Sequence, residues 1–344
     1  MKGLLKYISP FSPDQSGAVS VLYELCGAVV ICDAGGCAGN ICGFDEPRWF
    51  LKKSAVFSAG LRDMDAILGR DEHLVSRLSE AAFQTNAAFT AVIGTPVPAV
   101  IATDLNAIRR MTQKRTNKPS IAIDTDGTKL YDVGQEKAYL EVFRTFAKEK
   151  YPVKPAKAGV IGVTPLDFGD LDADKHIAKA LGGSFSEVVC YGFGSGLEEI
   201  EKASGVSVNI VVSPSGLFAA KYLKDTFGTP FEIGFPLETG LDLESLDDKK
   251  ILVIHQQFAA NAVRERILSR FCGASVTVGT WFSLKDEYKQ PDDVKFSDEE
   301  SFCEYIENNN FDVMIADAEF SLPFTKNAPA VVDFPHYAVS GRLW

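Results

Sequence analysis

The chain has only four histidines and four methionines in 344 residues, no run of lysine or arginine, and no apolar stretch approaching the length of a membrane span. Each shortage removes a class of function. A helix that crosses a bilayer needs about 20 consecutive apolar residues, so no membrane partner is expected. The opening MKGLLKYISPFSPDQ lacks the apolar core and small-residue cleavage site of an export signal, which makes cytoplasmic the expected location. A net charge of −11 leaves no basic surface to hold a phosphate backbone, and no nucleic acid partner is expected. No serine stands in a G-x-S-x-G elbow, so hydrolase chemistry has no support. Seven cysteines, an odd number in a chain without an export signal, argue against a disulfide framework.

What is present is a chain with 46% apolar and 24% charged residues, the balance of a globular protein with a substantial core. One core rarely serves this length, so two or three domains of about 100 to 150 residues are expected. Short apolar runs such as GAVVI, FTAVIG, SIAID, AGVIGV, SVNIVVS, KILVIH and FDVMIAD read as strands buried on both faces. Helical patterns alternate with them: GAVSVLYEL, MDAILGRDEHLVSRLSEAAFQT, LNAIRRMTQKRT, QEKAYLEVFRTFAKEK, LFAAKYLKDTF and FAANAVRERILSRF. Parallel strands need such crossovers. The fold class is therefore α/β, with three Rossmann-like domains of parallel sheet: residues 1–150, 151–245 after the linker YPVKPAK, and 246–344 after the acidic stretch LDLESLDDKK. Ligands of open parallel sheets bind at the carboxyl ends of the strands.

Four of the seven cysteines, Cys26, Cys32, Cys37 and Cys42, crowd into AVVICDAGGCAGNICG and the residues just before it. Cys37 follows a buried strand and opens a helix, where exposed amide groups lower a thiol's pKa and favour the thiolate that iron or zinc requires. The spacing Cys-x4-Cys-x4-Cys is neither a standard zinc nor a ferredoxin pattern. Free cysteine is also among the most buried residue types, so small apolar core residues are the competing reading.

Gly192, Gly194 and Gly196 of CYGFGSGLEE lack the G-x-G-x-x-G spacing and read as turn residues. Asp124, Asp126 and Asp132 of DTDGTKLYD read as a solvated turn rather than an ion loop. His255 and His336 each end or follow an apolar run and are placed to face an interdomain cleft, although a lone histidine is more often a hydrogen-bonded structural residue.

Several segments together resemble one family. DQSGAVSVLYELCGAVVICDAGGCAGN, SAGLRDMDAILGRDEHL, VIGTPVPAVIATDLNAI, GDLDADKHIAKALGGSF, SVNIVVSPSGLFAAKYLKDTFGTPFEIGFP and the closing FDVMIAD to DFPHYAVSGRLW are similar to successive parts of nitrogenase component 1 chains. The resemblance implies three α/β domains, pairing as a homodimer or as a heterodimer with a paralogue, electrons from an iron-protein-like ATPase reductase, and an iron–sulfur cluster near the dimer interface. The family's three interfacial cluster cysteines fall on Pro13, Cys37 and Pro96, so only Cys37 survives. Cys32 and Cys42 are the nearest sulfurs to replace the missing two in holding a 4Fe–4S cluster. The cysteine that anchors the nitrogenase active-site cofactor corresponds to Ser213, so that cofactor and dinitrogen reduction are not expected. A small unsaturated or macrocyclic substrate is expected instead, in a pocket lined by Thr95, Pro96, Pro98, Ser213 and Ser215. Two rival readings remain: a metallocofactor scaffold without turnover, and a cluster-free binding module.

Overall fold

Runs of Val, Ile and Ala, with no polar residue to mark a wet face, can only be satisfied between two layers of helix, and that is where the central strands lie. A computed structural model describes residues 5–237, 240–241, 243–324 and 329–343. The acidic stretch expected to separate the last two domains includes residue 242, which lies outside the described residues. The first sheet contains β1 (Ala28–Ile31), β2 (Val56–Ser58), β3 (Thr90–Ile93) and β4 (Ser120–Ile123), in the order β2-β1-β3-β4. The second contains β5 (Lys154–Ile161), β6 (Glu187–Cys190), β7 (Val206–Val211) and β8 (Phe231–Ile233), in the order β6-β5-β7-β8. The third contains β9 (Lys250–Ile254), β10 (Ser275–Thr280), β11 (Val294–Lys295), β12 (Val313–Ala316) and β13 (Ala330–Asp333), in the order β11-β10-β9-β12-β13. Every pairing is parallel.

These orders place a topological switch point in each sheet, because successive strands are laid down to one side and then to the other. The switch falls between β1 and β3, between β5 and β7, and between β9 and β12. Loops diverge at such a point and leave a crevice at the carboxyl ends of the strands. The described residues hold three of them.

The helix Tyr131–Phe146 links the units. It packs along the helix Asp14–Leu22, and the two approach so closely that a Cβ at Gly134 would sit 1.7 Å from the Asp14 carbonyl oxygen and one at Gly17 would sit 1.9 Å from that of Tyr131. Only glycine fits at either crossing. The amino-terminal segment is held by the third unit, where the Glu299 carboxylate accepts hydrogen bonds from the backbone N–H groups of Lys6, Tyr7 and Ile8 at 3.0–3.1 Å.

Three local expectations are corrected. The helix expected across residues 64–85 is two helices, Asp63–Leu68 and Asp71–Gln84, broken where Gly69 takes φ +62°. TPVPA, whose two prolines suggest a turn, starts the short helix Pro96–Val100 instead, because proline's missing N–H costs nothing in a first turn. Asp132 is not part of a solvated turn: it lies in the helix Tyr131–Phe146, buried, accepting from the Ser283 N–H and hydroxyl.

Candidate functional site

Two of the three switch points carry chemistry-bearing side chains in quite different settings. At the first, β1 runs out at Ile31, and the buried Asp33 then organises the turn. One of its carboxylate oxygens accepts from the Ser58 hydroxyl at 2.6 Å and the other from the Ala38 N–H at 2.8 Å. Gly35, at φ +118°, reverses the chain into the helix Gly36–Asn40, and Cys37 follows with its thiol half-buried. The lowered pKa expected of this thiol is not found. Burial pushes it above the ordinary thiol value, Asp33 adds to the shift, and the neighbouring Thr95 hydroxyl only partly offsets it. A helix of five residues has too little dipole to reverse that balance.

The three cysteines do not come together. Side chains alternate across a strand. Val29 and Ile31 face the core against which Cys37 and Cys42 pack, whereas Ala28, Val30 and Cys32 face the opposite core with Leu74 and Ile108. The Cys32 thiol is fully buried and pushed up to about 12, by burial and then by Asp71 and Asp33. The Cys42 thiol is raised as well, by burial and then by Glu46. Among the described residues, no group of three or more His, Cys, Asp or Glu is placed to hold a metal ion.

The Cys37 turn sits in a braced assembly of loops. Thr95, at the end of β3, is buried and donates its hydroxyl to the Cys32 carbonyl at 2.8 Å. Pro96 is exposed and Pro98 buried. A Cβ at Gly127 would meet the Pro96 ring at 2.5 Å, and the Asp14 carboxylate accepts from the Gly127 and Asp126 N–H groups, so the Pro13, Pro96 and Gly127 segments lie together. Beyond Cys37, the π-helical turn Ile41–Asp45 is tied down by the Ser12 and Ser16 hydroxyls, which donate to Asp45, and by the Tyr337 hydroxyl, which donates to the Phe44 carbonyl at 2.6 Å. Arg48 completes the bracing. Its guanidinium is buried, bonded to Glu46 at 2.7 Å, to Glu24 at 3.1 Å and to the Ser20 carbonyl at 2.7 Å. Burial works against its charge, but Glu46 and Glu24 outweigh that and hold it protonated. On this fixed segment Phe44, Phe50 and Leu51 stand 72–76% exposed, and Val100, at the end of the helix Pro96–Val100, is 85% exposed.

The second and third switch points face each other across the helix Tyr131–Phe146. Ser213 and Ser215 follow β7, Thr164 and Asp167 follow β5, His255 follows β9, and Asp317 and His336 follow β12 and β13. All of these side chains are 0–1% exposed. The Tyr131 hydroxyl lies 2.7 Å from an Asp167 carboxylate oxygen and 2.7 Å from His336 Nε2. The Gln135 amide donates to the Thr164 hydroxyl at 2.6 Å, and Ser215 donates to Ser213 at 3.1 Å. His336 stacks on His255 with ring centroids 4.1 Å apart, and among the described residues the Nδ1 atoms of both rings have no hydrogen-bond partner.

One hydroxyl proton cannot serve two acceptors, so this junction needs a second proton, on Asp167 or on His336 Nε2. Burial pushes the Asp167 carboxyl up to about 7, with the Tyr131 hydrogen bond opposing and Asp132 adding. Burial also drives both histidines below the ordinary imidazole value, to about 4 for His255. The five residues expected to line one substrate pocket are thus divided: Thr95, Pro96 and Pro98 lie at the first switch point, and Ser213 and Ser215 lie sealed at the second. Sequence reasoning missed Tyr131, Asp167 and Arg48 altogether.

These features define a class: a three-sheet parallel α/β chain with a braced thiol loop on the first sheet and a polar junction between the other two. The chain belongs to the nitrogenase component 1 type oxidoreductase family, whose model matches residues 15–242. The solved structure described as nitrogenase Cp1 at pH 6.5 superposes with a TM-score of 0.72 at 14% identity, covering 97% of this chain and 87% of that one. The structure of nitrogenase Cp1 at pH 5 gives a TM-score of 0.70 at 13% identity, covering 96% and 84%. At that identity the likeness is one of fold. No curated protein matches the sequence. No helix among the described residues is long and apolar enough to cross a membrane.

Proposed function

We propose that the chain is an electron-transfer component in which Cys37 helps to hold an iron–sulfur cluster where two chains meet, in a homodimer or with a paralogue. The observation that carries this reading is a half-exposed thiol followed in sequence by a braced segment that leaves Phe44, Phe50 and Leu51 uncovered. Phe44, Phe50 and Leu51 belong to the segment fixed by Arg48, Asp45 and Tyr337, and Val100 ends the short helix Pro96–Val100, where it too is exposed. Side chains of this size are stabilised by about 1.5–3 kcal/mol each when covered.

One chain alone does not supply a ligand set for a 4Fe–4S cluster, because Cys32 faces the other core and only Cys42 shares the side of Cys37. A second chain completes it. Bound there, such a cluster supplies one-electron chemistry at low potential. The chain's own part is to present the Cys37 sulfur, to place the Thr95 hydroxyl beside it and to exclude water with the apolar rim. Because the thiol is raised above its usual value, loading must displace a proton and is favoured as pH rises. The reductant in this reading is an iron-protein-like ATPase, and the electron acceptor is a small unsaturated or macrocyclic molecule other than dinitrogen.

The test is anaerobic reconstitution with iron and sulfide, followed by metal analysis and sedimentation. The parent should retain iron as a dimer, Cys37→Ala should lose at least tenfold of it, and Cys32→Ala should keep most of it. Parent protein that holds no iron under these conditions would refute the proposal.

A second reading, a metallocofactor scaffold without turnover, is favoured by the sealed junction. Ser213 and Ser215 are bonded to each other and buried, so neither is exposed to receive a substrate. Single-turnover assays with a matching reductase separate the two, since only an enzyme passes its electrons into a product.

A further inference from the structure

The first unit holds a second concave site that the electron-transfer reading does not use. A cavity of about 530 Å³ opens at the carboxyl ends of β1 and β2, the end of a parallel sheet where ligands bind. Its floor is apolar, formed by Cys32, Ala59, Leu74 and Ile108. Its walls are the helix Asp63–Leu68, one face of the helix Asp71–Gln84 and the loop at residues 101–104. The volume is that of a small-molecule pocket.

The charges around it are unbalanced in a particular way. Arg70, His73 and Arg77 recur at intervals of three and four, from the cap of the helix Asp71–Gln84 along one of its faces, and Arg62 joins them from the cap of the preceding helix. None of the three guanidinium groups has an ion pair or a side-chain hydrogen bond among the described residues. By contrast, Arg110 pairs with Asp104 of the cavity wall at 3.5 Å, and Arg115 with Glu72 at 3.7 Å. The acids of the cavity are mostly engaged already. Asp65 accepts from the Arg62 backbone N–H, and Asp104 caps the helix Leu105–Thr116 through the Ala107 N–H as well as pairing with Arg110. Only Asp71 is left over. Its carboxyl is raised by burial and by Asp104, and no arginine lowers it, so these cations do not neutralise the one free acid beside them. Three unpaired guanidinium forks above an apolar floor suit an anion of planar or tetrahedral oxygens, which such forks grip through two parallel hydrogen bonds.

The geometry points to this cavity as a binding site for a small polyanion, a molecule carrying two or more carboxylate or phosphoryl groups on a compact body that rests on Leu74 and Ile108. Arg70 and Arg77 hold the charged end, and Asp71 limits how much negative charge the site accepts.

The test is isothermal titration of the full-length protein with inorganic pyrophosphate and, separately, with citrate, each against sodium chloride at matched ionic strength. At least one anion should bind where chloride does not. Tighter pyrophosphate marks a phosphoryl ligand, and tighter citrate a polycarboxylate. The doubly substituted Arg70→Gln, Arg77→Gln protein should bind at least tenfold more weakly, Asp71→Asn more tightly, and Lys114→Gln, on a neighbouring helix away from the cavity, like the parent. Circular dichroism confirms that each variant is folded. If neither anion binds above chloride, or if the doubly substituted protein binds as well as the parent, the site is only a solvated charged surface and the proposal fails.

Discussion

The Cys37 loop and the Tyr131–Asp167–His336 junction occupy equivalent places in their sheets, at the carboxyl ends of strands beside a change of winding direction. One stands open and the other is shut. At the first, Cys37 is half-buried in a glycine-rich turn, and the braced segment that follows leaves Phe44, Phe50 and Leu51 exposed. At the second, a tyrosine, an aspartate and two stacked histidines from all three units fill the space and bond to one another. Topology therefore provides the places where a parallel-sheet protein can bind, and side-chain volume decides which of them remain available.

The sharpest way to break this contrast is to unbrace the open site. Arg48→Ala leaves Glu24 and Glu46 buried without their cation, and removal of one partner of a buried pair costs about 3–5 kcal/mol. Urea unfolding should show a loss of that size, together with faster proteolysis of the Ile41–Phe50 stretch. A cost under about 1 kcal/mol would mean that the loop is held by something else.

At the closed site, Tyr131→Phe removes the hydroxyl between Asp167 and His336 and leaves two buried polar groups without it, at a cost of about 1–3 kcal/mol in the same experiment. A neutral result would show that the junction is held by apolar packing alone.

The junction should also answer to pH. Asp167 holds its proton more tightly in the fold than in the unfolded chain, so folding takes up a proton between about pH 4 and 7, and stability declines as pH rises through that window. Above it the curve levels off. The groups facing Asp167 do not reverse this: Asp132 adds to the shift, the Tyr131, Ser213 and Gln135 side chains oppose it only partly, and the nearby histidines stay neutral. Asp167→Asn should flatten the decline, as read from denaturation midpoints at successive pH values.

The smallest effect on the fold should come from the apolar rim. Phe50→Ser and Val100→Ser change exposed residues, and surface changes usually shift stability by no more than about 0.5 kcal/mol. The same pair should weaken dimer association at least tenfold in sedimentation. Equal dimerisation by the variant would move the interface elsewhere.

Much of the architecture was readable from the chain because strands buried on both faces have no alternation to hide behind. β1, β3, β4, β9 and β12 were plain as short apolar runs, and the helix Leu105–Thr116 fell where its pattern put it, behind the Asp104 cap. The two- and three-residue edge strands β11 and β2 were not legible, since their pairing depends on neighbours rather than on their own composition. At the sites, the position of Cys37 after a buried strand could be read directly. That Cys32 faces the opposite core follows from strand alternation and was available in principle. The junction was not, because Tyr131 meets Asp167 and His336 across 36 and 205 positions of sequence, and no local pattern carries such a meeting.

The bracing of the thiol loop also sets an order of events during synthesis. Tyr337, which fastens the Phe44 carbonyl, and Glu299, which gathers the backbone of residues 6–8, are translated about 290 residues after the segments they hold. Until they emerge, those segments lack this clamp. The turn that presents Cys37 therefore reaches its final form only after the third sheet has been made.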